Sequence, residues 1–206
     1  MTQFSWTNPL APSAGSNRVE IDQSRAKADG DIVAGSKVGT VIYVTPSPPP
    51  SGIVDQLLQK LRFEIEQEET ILHTVNSLRV YYNKRSEDGI DGLDAKLEAA
   101  DRMDIKLRAY ERKEEFAKLL EAWSMYASAQ EIFAFLLAHA ETLFERKIRP
   151  MIVAGKSRDE IDEATAAYIL DPTIAQCGTS IFVINHSIAL GMLYWLAEQC
   201  YIRWHP

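Results

Sequence analysis

A short Gly-Lys-Ser run is the stretch of this sequence that comes nearest to a nucleotide-binding motif. Ala154, Gly155, Lys156 and Ser157 match the end of a phosphate-binding loop, in which a glycine-rich turn between a strand and a helix cradles phosphates. The first glycine of that motif would fall at Pro150, and the residues before it are predicted to end a helix, not a strand. The spacing therefore argues against nucleotide binding here.

The acidic residues and histidines do not form a metal or catalytic motif that the sequence makes visible. An acidic run lacks the alternating spacing of a calcium loop and is typical of a solvated face with charges at helix starts. The run comprises Asp88, Asp91, Asp94, Glu98, Asp101 and Asp104. The histidines are far apart, and none has a second ligand at helical spacing. They are His73, His139, His186 and His205.

Nucleophilic chemistry is not indicated either. No histidine has the upstream arginine of a HEPN-type ribonuclease, and no serine or cysteine has a base nearby in the sequence. Partners that are distant in sequence stay open. We therefore predict a protein that is not an enzyme and that uses no metal or cofactor.

Aromatic residues recur at helical spacing near the end of the chain. Two interpretations stay open, a surface for binding another protein and ordinary packing of an aromatic stripe against the protein's own core. The candidate interaction residues at this end are Tyr194, Trp195, Tyr201, Arg203 and Trp204.

Composition limits the class of protein. With 206 residues, 46% of them hydrophobic, the chain fits one folded domain with a tail. The net charge of -7 argues against direct binding of a nucleic acid backbone and favours protein partners. Two cysteines without a CxxC pair, and no secretory segment, indicate a reduced, cytoplasmic setting. The most apolar window, Ile181–Leu196, is interrupted by polar residues and too short for a bilayer, so no membrane partner is expected.

Helical periodicity dominates residues 51–206. Apolar residues at steps of three and four predict one very long helix from Asp104 to Ile148, ended or bent by Pro150. That stripe comprises Leu107, Tyr110, Phe116, Leu119, Leu120, Trp123, Ala127, Phe133, Leu136, Leu137, Ala140 and Phe144. A first helix is predicted over Ile53–Asn83. The predicted fold is all-α, an elongated helical bundle around the long central helix.

Start and stop signals place the shorter helices. Asp91 or Gly92 begins one, and Ser157 with Glu160 forms a capping box that begins another, after a cap at Gly155. Asp171 is predicted to cap a further turn, with Pro172 at its first position. Asn185 or Ser187 is predicted to cap the last helix.

Residues 1–50 are predicted to be a flexible tail, and within it Met1–Asp29 has too little apolar content to become ordered alone. Residues 30–45 are Gly-rich and β-prone, and Pro46–Pro50 forms a stiff spacer after them. A lone hairpin is marginal in water, so we expect pairing with another sheet edge, in a homo-oligomer or in another subunit. A mobile linker is the alternative. The candidate interaction residues of this segment are Ile32, Val33, Val41, Ile42 and Val44.

Two short motifs carry a family resemblance. The run Ala28–Lys37 resembles the GDIVGGDK-like segment of proteins from bacterial ABC-three-component conflict systems. Gly191–Trp204 resembles the closing motif of the helical C-terminal domains in those systems. That motif usually has Thr-Gly and Cys-His where this chain has Ala197-Glu198 and Cys200-Tyr201.

The resemblance implies a non-catalytic accessory subunit in a defence complex against phage or plasmids. Its implied partners are an SMC-like or related ABC ATPase and a separate effector polypeptide, with nucleic acid contacted only indirectly. A homo-oligomeric scaffold or regulator without an ATPase partner is a second hypothesis, which an adjacent ATPase gene would argue against. An unrecognised hydrolase is a third, and it would need clustered polar groups in a pocket.

Overall fold

The computed structural model describes residues 52–85, 89–178 and 180–206, which form helices and connecting turns without a β-strand. The helices are α1 (Ile53–Glu66), α2 (Asn76–Arg79), α3 (Gly92–Ala99), α4 (Lys106–Ala122), α5 (Ala127–Leu143), α6 (Arg149–Val153), α7 (Arg158–Thr165), α8 (Asp171–Cys177) and α9 (His186–Glu198). The predicted all-α class is therefore confirmed for these ranges. The β-prone segment 30–45 lies outside them.

Two kinds of tighter or wider helical turn connect several of these helices. Val80–Tyr82 and Met103–Ile105 are 3-10 turns, and Phe144–Ile148 and Ala166–Leu170 are π-helical turns. In the described ranges, none of the helices combines the length and the apolarity needed to cross a bilayer.

The core lies where α4, α5 and α9 pack together. Phe116 of α4 meets Phe133 of α5 and Trp195 of α9, with ring centroids 6.2 and 6.1 Å apart. Both contacts are edge-to-face, the arrangement that aromatic rings favour. α9 is buried on most of its circumference, which explains why its sequence is apolar almost throughout.

The predicted helix from Asp104 to Ile148 is wrong as one continuous element. The chain leaves helical geometry between α4 and α5, at Trp123–Tyr126. The buried side chain of Gln130 stabilises this non-helical connection. Its amide nitrogen donates hydrogen bonds to the carbonyls of Ser124 at 2.6 Å and His73 at 3.1 Å. The Ile71 amide donates to the Met125 carbonyl at 2.8 Å. The bonds that involve His73 and Ile71 join residues distant in sequence, and local helix propensity does not register such contacts.

The predicted first helix over Ile53–Asn83 is also shorter than expected. α1 ends at Glu66, and Glu68 adopts a positive φ of 56° that turns the chain away. Buried Glu64 near that end accepts hydrogen bonds from the amide and hydroxyl of Ser128, at 3.1 and 2.7 Å. A carboxylate from α1 thus satisfies an N-terminal amide of α5.

Several of the predicted helix starts are confirmed. Ser157 and Glu160 form the predicted capping box, and the Asn185 side chain accepts from the Ile188 amide at 3.0 Å. Gly155 follows α6 with a φ of 67°, as expected of a glycine after a helix. Pro150 does not end its helix, because helical geometry continues from α5 through the π-helical turn Phe144–Ile148 into α6, whose first turn contains Pro150.

Asp171 begins α8 but does not cap it. The π-helical turn Ala166–Leu170 runs directly into α8, so helical geometry is continuous through Asp171. A cap requires a non-helical residue at the start, and Leu170 has helical φ and ψ instead.

Candidate interaction surfaces

An apolar groove runs between α1, the 3-10 turn Val80–Tyr82 and α5. Its volume is about 550 Å³, within the range of pockets that bury a large part of a ligand. Ile53 is 52% exposed and Val80 is 46% exposed, which is high for large aliphatic side chains. The groove residues are Ile53, Leu57, Ser77, Val80, Tyr81, Glu131, Ala134, Phe135 and Ala138.

The depth of the groove follows from small residues on α5. Ala134 and Ala138 are four residues apart and therefore lie on one face of the helix, with Phe135 beside them. A second cavity of about 240 Å³ shares Ile53 and Phe135 with the groove and continues it toward α8. The N-terminal end of α1 therefore lies between an apolar groove and an adjoining cavity of mixed polarity.

Tyr201 holds one wall of the groove in place. Its hydroxyl donates to the carbonyl of Val80, and also to the carbonyl of Asn83 at 3.2 Å. Its ring lies 4.7 Å from that of Tyr81, and the guanidinium of Arg85 lies 4.5 Å from its centroid. A residue that the sequence analysis proposed for direct contact thus acts from within the core, by positioning the groove-lining turn.

The other aromatic residues proposed for contact are buried as well. Tyr194, Trp195 and Trp204 are at most 6% exposed, and the rings of Phe144 and Trp204 lie 5.7 Å apart. Arg203 is half-buried. A buried ring cannot present itself to a partner, so in the described structure this aromatic end is core and not surface. The proposed residues of segment 30–45 lie outside the described ranges.

A second exposed apolar patch lies where α4 begins. Leu107 is 72% exposed and Met103 is 44% exposed, and with Tyr110 they border a shallow depression of about 590 Å³. The periodicity of the sequence placed Leu107 in the core stripe, and the structure corrects that. Leu107 and buried Phe116 are nine residues apart in α4, and at about 100° per residue their side chains lie on opposite faces of the helix.

Glu198 connects three segments at the end of α9. It accepts from the Leu93 amide at 3.1 Å and pairs with Lys84 at 3.2 Å and Lys113 at 3.5 Å. Burial works to raise the pKa of its carboxyl, but these donors outweigh burial and hold the pKa below its ordinary value. Glu198 stands where the resembling motif usually has glycine, and here it joins α3, α4 and α9.

Three potentially reactive side chains of the described ranges are Cys177, His186 and Ser187. Cys177 is buried, and burial raises the pKa of its thiol to about 11, so the thiol is protonated near neutral pH. His186 pairs with Asp171 at 2.9 Å, while the neighbouring Ser187 hydroxyl donates to Glu115 instead. Within the same ranges, no group of three or more metal-ligating side chains is assembled.

Comparison with known proteins identifies the domain. Residues 92–204, more than half of the chain, match the family described as C-terminal domain 9 of the ABC-three component (ABC-3C) systems. The match covers α3 to α9 and confirms the resemblance seen at the chain's last helix. Neither a search of curated proteins nor a search of solved structures found a match. The chain belongs to the C-terminal domain 9 family of the ABC-three component systems.

Proposed function

We propose that this protein is a non-catalytic accessory subunit of a bacterial ABC-ATPase-based defence complex against phage or plasmids. In this role it couples the ATPase to an effector through protein contacts. The observation that carries the proposal is the family match over residues 92–204, since ABC-three component systems are built from interacting components. The exposed apolar groove supports it, because exposed patches of this kind mark sites of protein association.

The groove is best suited to an amphipathic helix of a partner subunit. Its walls are helical and apolar, and a helix in a groove buries apolar anchors at positions spaced along one face. Glu131 and Ser77 supply polar groups at the groove. A partner helix with a basic residue beside its apolar face would complement Glu131.

The two walls of the groove have different origins with respect to the family. α5 lies within the matched residues 92–204, whereas α1 and Val80 come before them. The groove therefore combines the family domain with a segment that the match does not cover. This arrangement would let the preceding segment set partner choice while the family domain supplies the shared wall.

Homo-oligomerisation as a scaffold or regulator is the second candidate function, and the same groove is what favours it. An apolar groove with a half-exposed Ile53 at its end can bury itself against a second copy as well as against another protein. The two functions differ in what the groove binds.

Co-expression separates the two. The tagged full chain is co-expressed with the ABC ATPase and the third component encoded beside it, purified, and its mass measured by light scattering. Accessory function predicts that the ATPase co-purifies in a fixed ratio and that the chain alone shows no ATPase, nuclease or protease turnover. Recovery of the chain alone as a stable homo-oligomer, with the ATPase left behind, would favour the scaffold. Turnover abolished by one substitution in this chain would overturn the non-catalytic assignment.

A further inference from the structure

A small pocket lies on another part of the domain, between α4, α7 and α9. Its volume is about 180 Å³, and it shares no lining residue with the groove between α1 and α5. Arg102, Arg112 and Arg158 line it, together with Asp162 and the Tyr194 side chain. The remaining lining residues are Ile105, Thr165, Leu170, Leu190 and Trp204. Three guanidinium groups around one small cavity are an arrangement suited to an anion.

Two of the three arginines are neutralised by neighbouring carboxylates. Buried Arg102 donates to Asp162 at 2.6 Å. Arg158 binds Asp104 through both terminal nitrogens, at 2.8 and 2.9 Å. These pairs fix the arginine side chains but leave them little net charge to offer a ligand.

Arg112 differs from the other two arginines in having no carboxylate beside it in the described ranges. Within the described ranges, no carboxylate lies within 4.0 Å of its guanidinium. It is half-buried, and both its side chain and that of Tyr194 line the pocket. Burial raises the pKa of Tyr194, and Arg112 with Arg102 opposes that rise only in part, so the phenol keeps its proton near neutral pH. The pocket thus presents one uncompensated positive charge beside one O–H donor.

Charge and size together restrict the ligand. One uncompensated charge matches a monoanion better than a doubly charged phosphate, because Asp162 would repel the second charge. The volume is below the roughly 300 to 1,000 Å³ of pockets for drug-sized ligands. Leu170, Leu190 and Trp204 give the pocket apolar walls, which suit a short hydrocarbon body.

We propose that this pocket binds a carboxylate group carried on a short aliphatic body, with Arg112 as its ionic partner and Tyr194 as a second donor. Such a group has two sources, a free small organic acid or the C-terminal residue of a partner polypeptide. The pocket lies wholly within the residues matched to the family. The inference goes beyond the proposed function and does not depend on it, since it concerns residues that the groove does not use.

The test is a titration of the full-length protein with sodium isobutyrate at constant ionic strength, followed by the NMR signal of the Trp204 indole. Isobutyramide, the neutral analogue of the same shape, and inorganic phosphate are titrated in parallel. We expect saturable chemical-shift changes with isobutyrate, and at least tenfold weaker binding of isobutyramide and of phosphate. A hydrogen bond to a charged group contributes more binding free energy than a neutral one, by an amount that corresponds to about tenfold in affinity. Equal binding of the amide, or tighter binding of phosphate, would overturn the proposal.

Substitution of Arg112 locates the binding group. Arg112→Gln should weaken isobutyrate binding about tenfold or more, because it removes the uncompensated charge. Arg108→Gln is the matched control, since Arg108 is exposed on the same helix and does not line the pocket. Tyr194→Phe keeps the buried ring and should weaken binding several-fold, which provides a second measurement if Arg112→Gln disturbs folding. Equal affinities of the Arg112 and Arg108 variants would contradict the assignment, as would an unchanged Tyr194→Phe affinity.

A second ligand separates the two sources. N-acetylvaline carries the carboxylate and apolar side chain of a polypeptide end. If N-acetylvaline binds at least tenfold more tightly than isobutyrate, the natural ligand is a partner's C-terminus. If N-acetylvaline binds equally or more weakly, the natural ligand is a free small acid. Either result supports a carboxylate pocket. Binding of neither compound would overturn it and would leave the proposed accessory function standing.

Discussion

Gly191 of α9 and Arg112 of α4 lie so close that a side chain at residue 191 has no room. A Cβ built on Gly191 would be 2.1 Å from the Arg112 carbonyl oxygen and 2.7 Å from the carbonyl carbon. Both atoms are backbone, so no rotamer change can relieve the overlap. This contact sets the distance between α4 and α9 and fixes the Arg112 backbone against α9, which also carries Tyr194, three residues after Gly191.

Gly191→Ala should therefore destabilise the domain by about 1 to 3 kcal/mol, as overpacked cores typically do. The sign of the change is diagnostic. Helix propensity alone predicts the opposite, a gain of about 1 kcal/mol when alanine replaces glycine within a helix. The free energy of unfolding from a urea titration checks this, and a more stable variant would show that α4 and α9 are farther apart than described.

Two leucines of the same sequence stripe should respond differently to truncation. Leu137 is fully buried, so Leu137→Ala should cost about 2 to 5 kcal/mol of unfolding free energy. Leu107 is 72% exposed, and Leu107→Ala should cost within about 0.5 kcal/mol. Chemical denaturation of both variants measures the difference. Similar costs for the two would mean that the start of α4 packs against the core after all.

The contrast between these leucines shows how far sequence reasoning extends. Periodicity identifies Phe116, Leu120, Phe133 and Leu137 as core, because an amphipathic helix repeats its apolar face every three or four residues. It fails at Leu107 because Leu107 and Phe116 are nine residues apart, which at about 100° per residue places them on opposite faces of α4. The break before α5 is missed for a different reason. It is stabilised by the side chain of Gln130, which bonds to Ser124 within the break and to His73 in a segment distant in sequence, an arrangement that exists only in the folded domain.

The candidate groove was harder to predict from the sequence than the helical core. Ala134 and Ala138, four residues apart beside Phe135, are the signal that could have revealed it, since small residues on a helical face leave space. The other wall depends on Val80, whose position is held by Tyr201 from the far end of the domain. The aromatic stripe that includes Tyr194 and Trp204 is easy to recognise in the sequence, but these residues are buried in the core.

The helix start at Ser157 should make stability depend on pH. Lys156 and Ser157 bond the Glu160 carboxylate and hold its pKa at about 2, below the ordinary 4.5. A lowered acid pKa stabilises the fold fully above the unfolded value and loses that effect as pH falls through the folded value. Glu160→Gln should therefore lower Tm at pH 7, and its difference from the unsubstituted protein should shrink between pH 4.5 and about 2. Glu163→Gln, an exposed residue of the same helix, is the control. A Tm difference that stays constant over this interval would contradict the assignment.

Removal of residues 1–45 tests the role proposed for the β-prone segment. The described ranges contain no strand, so they offer no sheet edge to Ile32, Val41 or Val44. We therefore expect deletion to leave the melting of the helical domain nearly unchanged and to weaken assembly with a second copy or another subunit. Calorimetry and light scattering report the two effects. Unfolding of the truncated protein, or assembly that is unaffected, would each refute the hypothesis.

We propose that the domain binds the ABC ATPase through the groove between α1 and α5. The most direct measurement is the affinity of the purified full chain for the purified ATPase, compared between Ala138→Arg and Ala154→Arg. Both alanines are exposed, and only Ala138 lines the groove. A guanidinium in the groove should block the partner helix and weaken binding at least tenfold, because the apolar contact is lost. We expect this loss for Ala138→Arg and an unchanged affinity for Ala154→Arg. Equal affinities of the two variants, or no binding by the unsubstituted chain, would contradict it.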